Sequence, residues 1–266
     1  MYAHSQHKAL LWLAIYAFLL LLIGCDINDV SDGPDFEYRQ SFNSTSVISG
    51  RTRFFISNVN GAVAVFGVDT LTEVLISGSK IVRDQTLDQA QRHINDIQID
   101  IQESSSTLTI KTSQPNSSGG RTYQVDYEIM VPSSWEVTVT NVNGSVEILN
   151  IHNTVAASVV NGTAIANDVA GSVGISVTNG TITGKVFLPE NGSCTFDLVN
   201  GNATLLAPRT TSATVSATVA NGSVSVTNLP IVFSTNTRTA FSGVVGSGKG
   251  TIRLSSVNGI VQLLGF

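Results

Sequence analysis

Val137-Thr138-Val139-Thr140-Asn141-Val142-Asn143-Gly144-Ser145-Val146-Glu147-Ile148 is the stretch that decides the fold. Apolar and polar residues alternate on both sides of its Asn-Gly pair, the period-2 signature of strands with one buried face. The string returns along the chain. Asn-Gly pairs begin at Asn60, Asn143, Asn161, Asn179, Asn200, Asn221 and Asn258, with spacings of 18, 18, 21, 21 and 37 from Asn143 onward. Val directly precedes five of them, as Val59, Val142, Val160, Val199 and Val257. An eighth pair, Asn191-Gly192, is out of phase and reads as an inserted turn after Pro189. The spacing of 37 reads as two periods with one degenerate copy.

A fixed period near 20 residues means stacked units, none of which can bury its apolar face alone. The expected class is all-β, a parallel β-solenoid built from repeats of 18 to 21 residues. Each Asn-Gly would then be a corner, where Gly takes a positive φ and Asn stacks on its copies above and below. Asn-Gly is also the strongest signal for a two-residue hairpin, so the alternative is an antiparallel sandwich or meander. Two observations favour the solenoid. Residues beyond the turn recur as well, and a second, weaker turn (Asn167-Asp168-Val169-Ala170-Gly171) lies between pairs. Thr86 with Gln89 resembles a capping box, and Leu87, Ala90, Ile94 and Ile97 recur at helical spacing, which predicts one short helix at an end of the stack.

Composition narrows the function classes. Of 266 residues 42% are hydrophobic and 12% charged, and the net charge is −5. No basic stretch matches a phosphate backbone, so nucleic acid is not an expected partner. Between 141 and 230 the charged residues are Glu147, Asp168, Lys185, Glu190, Asp197 and Arg209. The outward face is therefore mainly Ser, Thr and Asn.

The N-terminus reads as an export signal. Ala9 to Gly24 is an uncharged run of 16 residues, short for a spanning helix of about 20. It ends in Leu22-Ile23-Gly24-Cys25, which resembles the lipobox of bacterial lipoproteins. That resemblance implies a signal peptide over 1–24, cleavage before Cys25, and acylation of the Cys25 sulfur with a diacylglycerol. With a third acyl chain, this would hold the chain on a membrane of the envelope. Asp26 beside the cysteine implies, by the same resemblance, retention in the inner membrane. Residues 25–41, with Asp26, Asp29, Asp32, Asp35 and Glu37 around Gly33-Pro34, read as a flexible tether. Residues 42–266 form the repeat domain. Cys194 alternates with Phe196 and Leu198 and reads as a buried thiol.

Tyr127-Glu128-Ile129-Met130-Val131-Pro132, followed by the string around Asn143, resembles the putative-adhesin repeat domains of bacterial envelope proteins, the DUF4097 family. Asn60-Gly61-Ala62-Val63-Ala64-Val65 resembles that family's N-terminal copy, and Ile97–Ile101 with Leu108-Thr109-Ile110 its intervening strands. The likeness spans about residues 42–266. It implies a β-solenoid displayed in the envelope, with no enzymatic activity attached. The tail at 228–250, interrupted by Pro230 and four glycines, departs from it.

Catalytic residues and cofactors are not expected. His93 and His152 lie far apart without metal-ligand spacing. Gly243 to Gly250 has the wrong spacing for a phosphate loop and opens a strand, so it reads as a turn. Asp168, Glu190 and Asp197 fall at different phases of the repeat, which implies no carboxylate pair. Two functions remain. The first is a non-enzymatic, lipid-anchored envelope module offering a β-surface to polysaccharide or to another envelope protein. The alternative is a carbohydrate-active enzyme, a polysaccharide lyase or hydrolase, on the same scaffold. The terminal strand Ile260–Leu264 reads as the last coil, with Phe266 over the open end of the core.

Overall fold

The computed structural model describes residues 36–117 and 119–266. The signal segment, Cys25 and most of the predicted tether lie outside the described residues. Fifteen strands make one open, mixed sheet, so the expected all-β class is observed. They are β1 (Phe36–Val47), β2 (Arg53–Asn60), β3 (Val63–Val68), β4 (Glu73–Asp84), β5 (Gln98–Glu103), β6 (Thr107–Ser113), β7 (Thr122–Pro132), β8 (Glu136–Leu149), β9 (Val155–Val169), β10 (Val173–Val186), β11 (Ser193–Ala207), β12 (Ala213–Thr227), β13 (Ile231–Asn236), β14 (Ala240–Val245) and β15 (Gly250–Gly265).

Six long strands run parallel in the order β8, β9, β10, β11, β15, β12. Their Asn-Gly pairs are in register. Asn143 faces Asn161, Asn161 faces Asn179, Asn179 faces Asn200, Asn200 faces Asn258, and Asn258 faces Asn221. On the far side of β8, β2 and β3 together make one broken rung that pairs Asn60 with Asn143. Each pair thus sits inside a rung.

Burial explains what the pair does there. Along the rungs, the second arm of β12 excepted, alternate residues are buried, but across Asn-Gly the step is five: Val159 to Ala164, Val177 to Ile182, Leu198 to Ala203. An odd step sends a flat strand's side chain to the opposite face. Both arms nevertheless bury into one core, so the chain must bend at Asn-Gly. The glycines have φ between +122° and +150°. Each also lies against its neighbour's backbone: a Cβ on Gly180 would stand 1.7 Å from the Gly162 carbonyl oxygen. Only glycine meets both demands.

The asparagines form a second ladder. Nδ2 of Asn143 donates to Oδ1 of Asn60 at 2.7 Å, Asn161 to Asn143 at 2.8 Å, Asn179 to Asn161 at 2.9 Å, and Asn200 to Asn179 at 2.8 Å. Asn258 continues it to Asn200 and Asn221 to Asn258, at 2.7 and 2.9 Å. Asn60 ends the series by donating to the Tyr123 carbonyl at 3.0 Å. The weaker second turn is also present, with Asn150, Asp168 and Asn228 at positive φ.

The ends depart from the repeat reading. β1 begins at Phe36 and pairs with β4 along its whole length, so 36–41 are strand and not tether. Glu37 is held there by Arg39 and Arg83. The gap of 37 holds no degenerate coil. Residues 231–245 form an antiparallel hairpin of β13 and β14 laid on β12, and β15 inserts between β11 and β12. Ile260–Leu264 is therefore an interior rung. Phe266 does not cover the core: it is 45% exposed, edge-on to Phe187 at 5.7 Å, with the Lys185 ammonium 5.4 Å from its ring centre.

The predicted helix is α1 (Leu87–His93), with the Thr86 hydroxyl accepting from the Gln89 N–H at 3.2 Å. It packs on β1 and β4, and Ala90, Ile94 and Ile97 are buried. Among the described residues no helix is long and apolar enough to cross a membrane.

Candidate functional site

Outward positions of the first arm form rows across the rungs. One row runs Thr140, Ser158, Ser176, Asp197, Ser255, Thr218, and the row beside it runs Thr138, Ala156, Gly174, Thr195, Arg253, Ser216. Ala156 and Gly174 lack the bulk of Thr138 and Thr195 on either side. A shallow groove of about 280 Å³ results, floored by Ala156 and Gly174 and walled by the side chains of Thr138, Thr140, Ser158, Ser176 and Thr195, with more carbon than oxygen on its surface. Asp197 is its one carboxylate, held by the Ser255 hydroxyl. The groove crosses rungs that rise about 4.8 Å each, so its donors and acceptors repeat at that interval.

A second concavity of about 540 Å³ lies over β1, β4, β7 and β3. Ser41, Asn43, Ser77 and Ser79 line one side, and Asp126, Glu128 and Phe66 the other. On the opposite face Gly78 makes room for Phe42: a Cβ there would stand 2.3 Å from the Asp126 carbonyl oxygen and 2.5 Å from Phe42 Cζ. Asp126 spends one oxygen on the Ala62 N–H at 2.9 Å and the Gln124 amide at 2.8 Å. These two carboxylates lie outside residues 141–230, the span over which the sequence reading weighs charge. The alternation Gln124, Asp126, Glu128 on the polar side of β7 was the available signal. Paired catalytic carboxylates depend on withdrawing one from water. Glu128 is exposed and Asp126 half-buried.

The acids weighed in the repeats stay apart. Asp168 pairs with Lys185 at 2.7 Å, Glu190 with Lys249 at 2.9 Å, and Asp197 lies in the groove. His93 contacts Asp96 at 2.8 Å, while His152 stands 3.8 Å from Asp69. Among the described residues no three His, Cys, Asp or Glu side chains converge as a metal site would require. Cys194 is buried, and burial pushes its thiol up to about 12. Asp84 is a buried carboxylate on β4. Burial works to raise it, but the Arg121 guanidinium and the Gln85 N–H outweigh that and hold it below its ordinary value.

No family model and no curated protein matches the chain. Among solved structures it is similar to a putative cell adhesion protein from Clostridium sporogenes ATCC 15579. That match has a TM-score of 0.53 and 12% identity, over 86% of this chain and 100% of that one. A putative adhesin from Bacteroides fragilis NCTC 9343 matches with a TM-score of 0.26 and 10% identity, over 85% and 97% of the two chains, too low to bear on the fold. The chain shares the fold of the Clostridium protein.

Proposed function

We propose that this protein is a non-enzymatic, adhesin-like module of the bacterial cell envelope, anchored through lipid on Cys25, that binds an extended polysaccharide along the groove across β8 to β11. In this reading the parallel rungs are coils of a β-solenoid and the groove runs along its axis. The groove carries the proposal. Polar side chains recur once per rung along it, as Thr140, Ser158, Ser176 and Asp197, between apolar carbon surface, which suits a polymer of repeating sugars better than a small substrate. Its single carboxylate gives no acid and base pair for glycoside cleavage.

The alternative, a carbohydrate-active enzyme, draws on Asp126 and Glu128 in the second concavity. One experiment separates the two. The full-length chain is applied to immobilised neutral, acidic and amino-sugar polysaccharides, and released reducing ends are assayed in parallel. Retention without release, lost in Ala156→Trp but kept in Asp126→Asn with Glu128→Gln, is the expected result. Release of product that the double variant abolishes would overturn the proposal. So would retention that Ala156→Trp leaves intact.

A further inference from the structure

We propose that two copies of this chain pair through the sparsely charged end of the sheet formed by β12, β14 and β13. From Ala213 to Val245 the one charged residue is Arg238, in the turn joining β13 to β14, and β13 has a ladder neighbour on one side only. Its outer edge presents unpaired backbone groups, a template for another strand. Val232 is 76% exposed and Phe233 43%, with Val244 beside them on β14.

The core is also unfinished there. Val224 and Val226 on the second arm of β12 are half-buried, whereas Val261 and Leu263, at the same register on β15, are fully buried. The adjoining β14–β13 hairpin pairs along the first arm of β12, and its turn reaches the second arm only at Val224, whose N–H donates to the Arg238 carbonyl at 2.9 Å. Pro230 and the bulge between Phe233 and Thr235 shorten the edge without charging it.

The opposite end differs. Its edge strands carry Glu37 and Arg39 on β1, and Asp100 and Glu103 on β5. Charged edges resist strand addition. Head-to-tail stacking of one copy's β13 on another's β1 or β5 is thereby disfavoured. An isologous contact of this end with itself brings together a single charge from each copy, Arg238 in the turn beyond the exposed Val232 and Phe233, and it closes at two copies. The occupant that fits is a second copy of this chain.

The test uses the full-length chain in freshly broken cells, with Thr235→Cys on β13 or Gln40→Cys on β1 and a short bismaleimide. Cys194 is buried and contributes nothing, and the unsubstituted chain sets the background. A cross-linked dimer is expected with Thr235→Cys, not with Gln40→Cys. It should be lost when Val232→Lys, an exposed and structurally mild change, is added. Equal yields at the two ends, or a β13 cross-link that survives Val232→Lys, would overturn the proposal.

Discussion

Asn258 donates its side-chain amide to Asn200 at 2.7 Å, a link across 58 residues that closes a gap the sequence order leaves open. β15 has crossed over β12 and taken the place beside β11 that β12 would occupy in simple succession. The Asn and Gly ladders run through this exchange unbroken. Register is therefore set by the corner and not by chain order.

The glycine ladder predicts a sharp contrast within β10. Gly180→Ala would drive its Cβ into the Gly162 carbonyl at φ +147°, and stability should fall by about 3 kcal/mol or more. Gly174→Ala meets nothing within 4 Å and should be neutral or stabilising by about 0.5 kcal/mol. Thermal melts of the two variants decide it.

Asn179 sits mid-ladder, donating to Asn161 and accepting from Asn200. Asn179→Ala breaks both links, but solvent reaches the groups left behind. The expected loss is about 1 kcal/mol, or about 2 to 4 °C in Tm. Asn221→Ala, at the ladder's end, should cost less.

Acid should loosen the first half of the chain before the second. Glu37 is held below its ordinary value by Arg39, Asp84 by Arg121 against its burial, Asp96 by His93 and Glu103 by Ser46. Each is lower folded than unfolded, so the unfolded chain binds more protons as pH falls. The stability they supply is complete above their unfolded values of 3.8 and 4.5, and is lost as pH drops through the folded ones. Hydrogen exchange below about pH 4.5 should show β1 and β4 to β6 deprotecting ahead of β9 to β11.

Cys194 should resist thiol reagents until the chain unfolds, because it is 1% exposed and burial pushes its thiol up to about 12. Labelling in rising denaturant should follow global unfolding. Fast labelling in buffer would show that this stretch of β11 opens locally.

The anchor has its own check. Cys25→Ser should move the chain from the membrane fraction to the soluble one and abolish incorporation of labelled palmitate. Unchanged partitioning would mean that the apolar run itself is the anchor.

How much of this was legible beforehand depended on how far each feature reached in the sequence. The period-2 alternation and repeated Asn-Gly disclose strands and register because each rung repeats the same local demand. Thr86 and Gln89 disclose α1 for the same reason: a cap is local. The exchange of β15 and β12 is not legible, since either strand satisfies the same corner and only the hairpin at 231–245 decides which lies beside β11. The fate of Phe266 follows from that exchange. The first six residues of β1, 36–41, read as tether because their apolar residues are few, and what holds them is backbone pairing with β4 and Arg83 on that strand. The groove was hidden because it depends on which short side chains, Ala156 and Gly174, become neighbours.

The parallel stacking is tested most directly by spin-label distances from Val142 to Val257 and from Val142 to Ala220, all exposed beside the corner. The rung order places Val257 four rungs away and Ala220 five, about 19 Å and 24 Å at 4.8 Å per rung. Those two distances, with Val257 the nearer, are the predicted result. An inverted order, or separations that do not scale with rung count, would contradict the account.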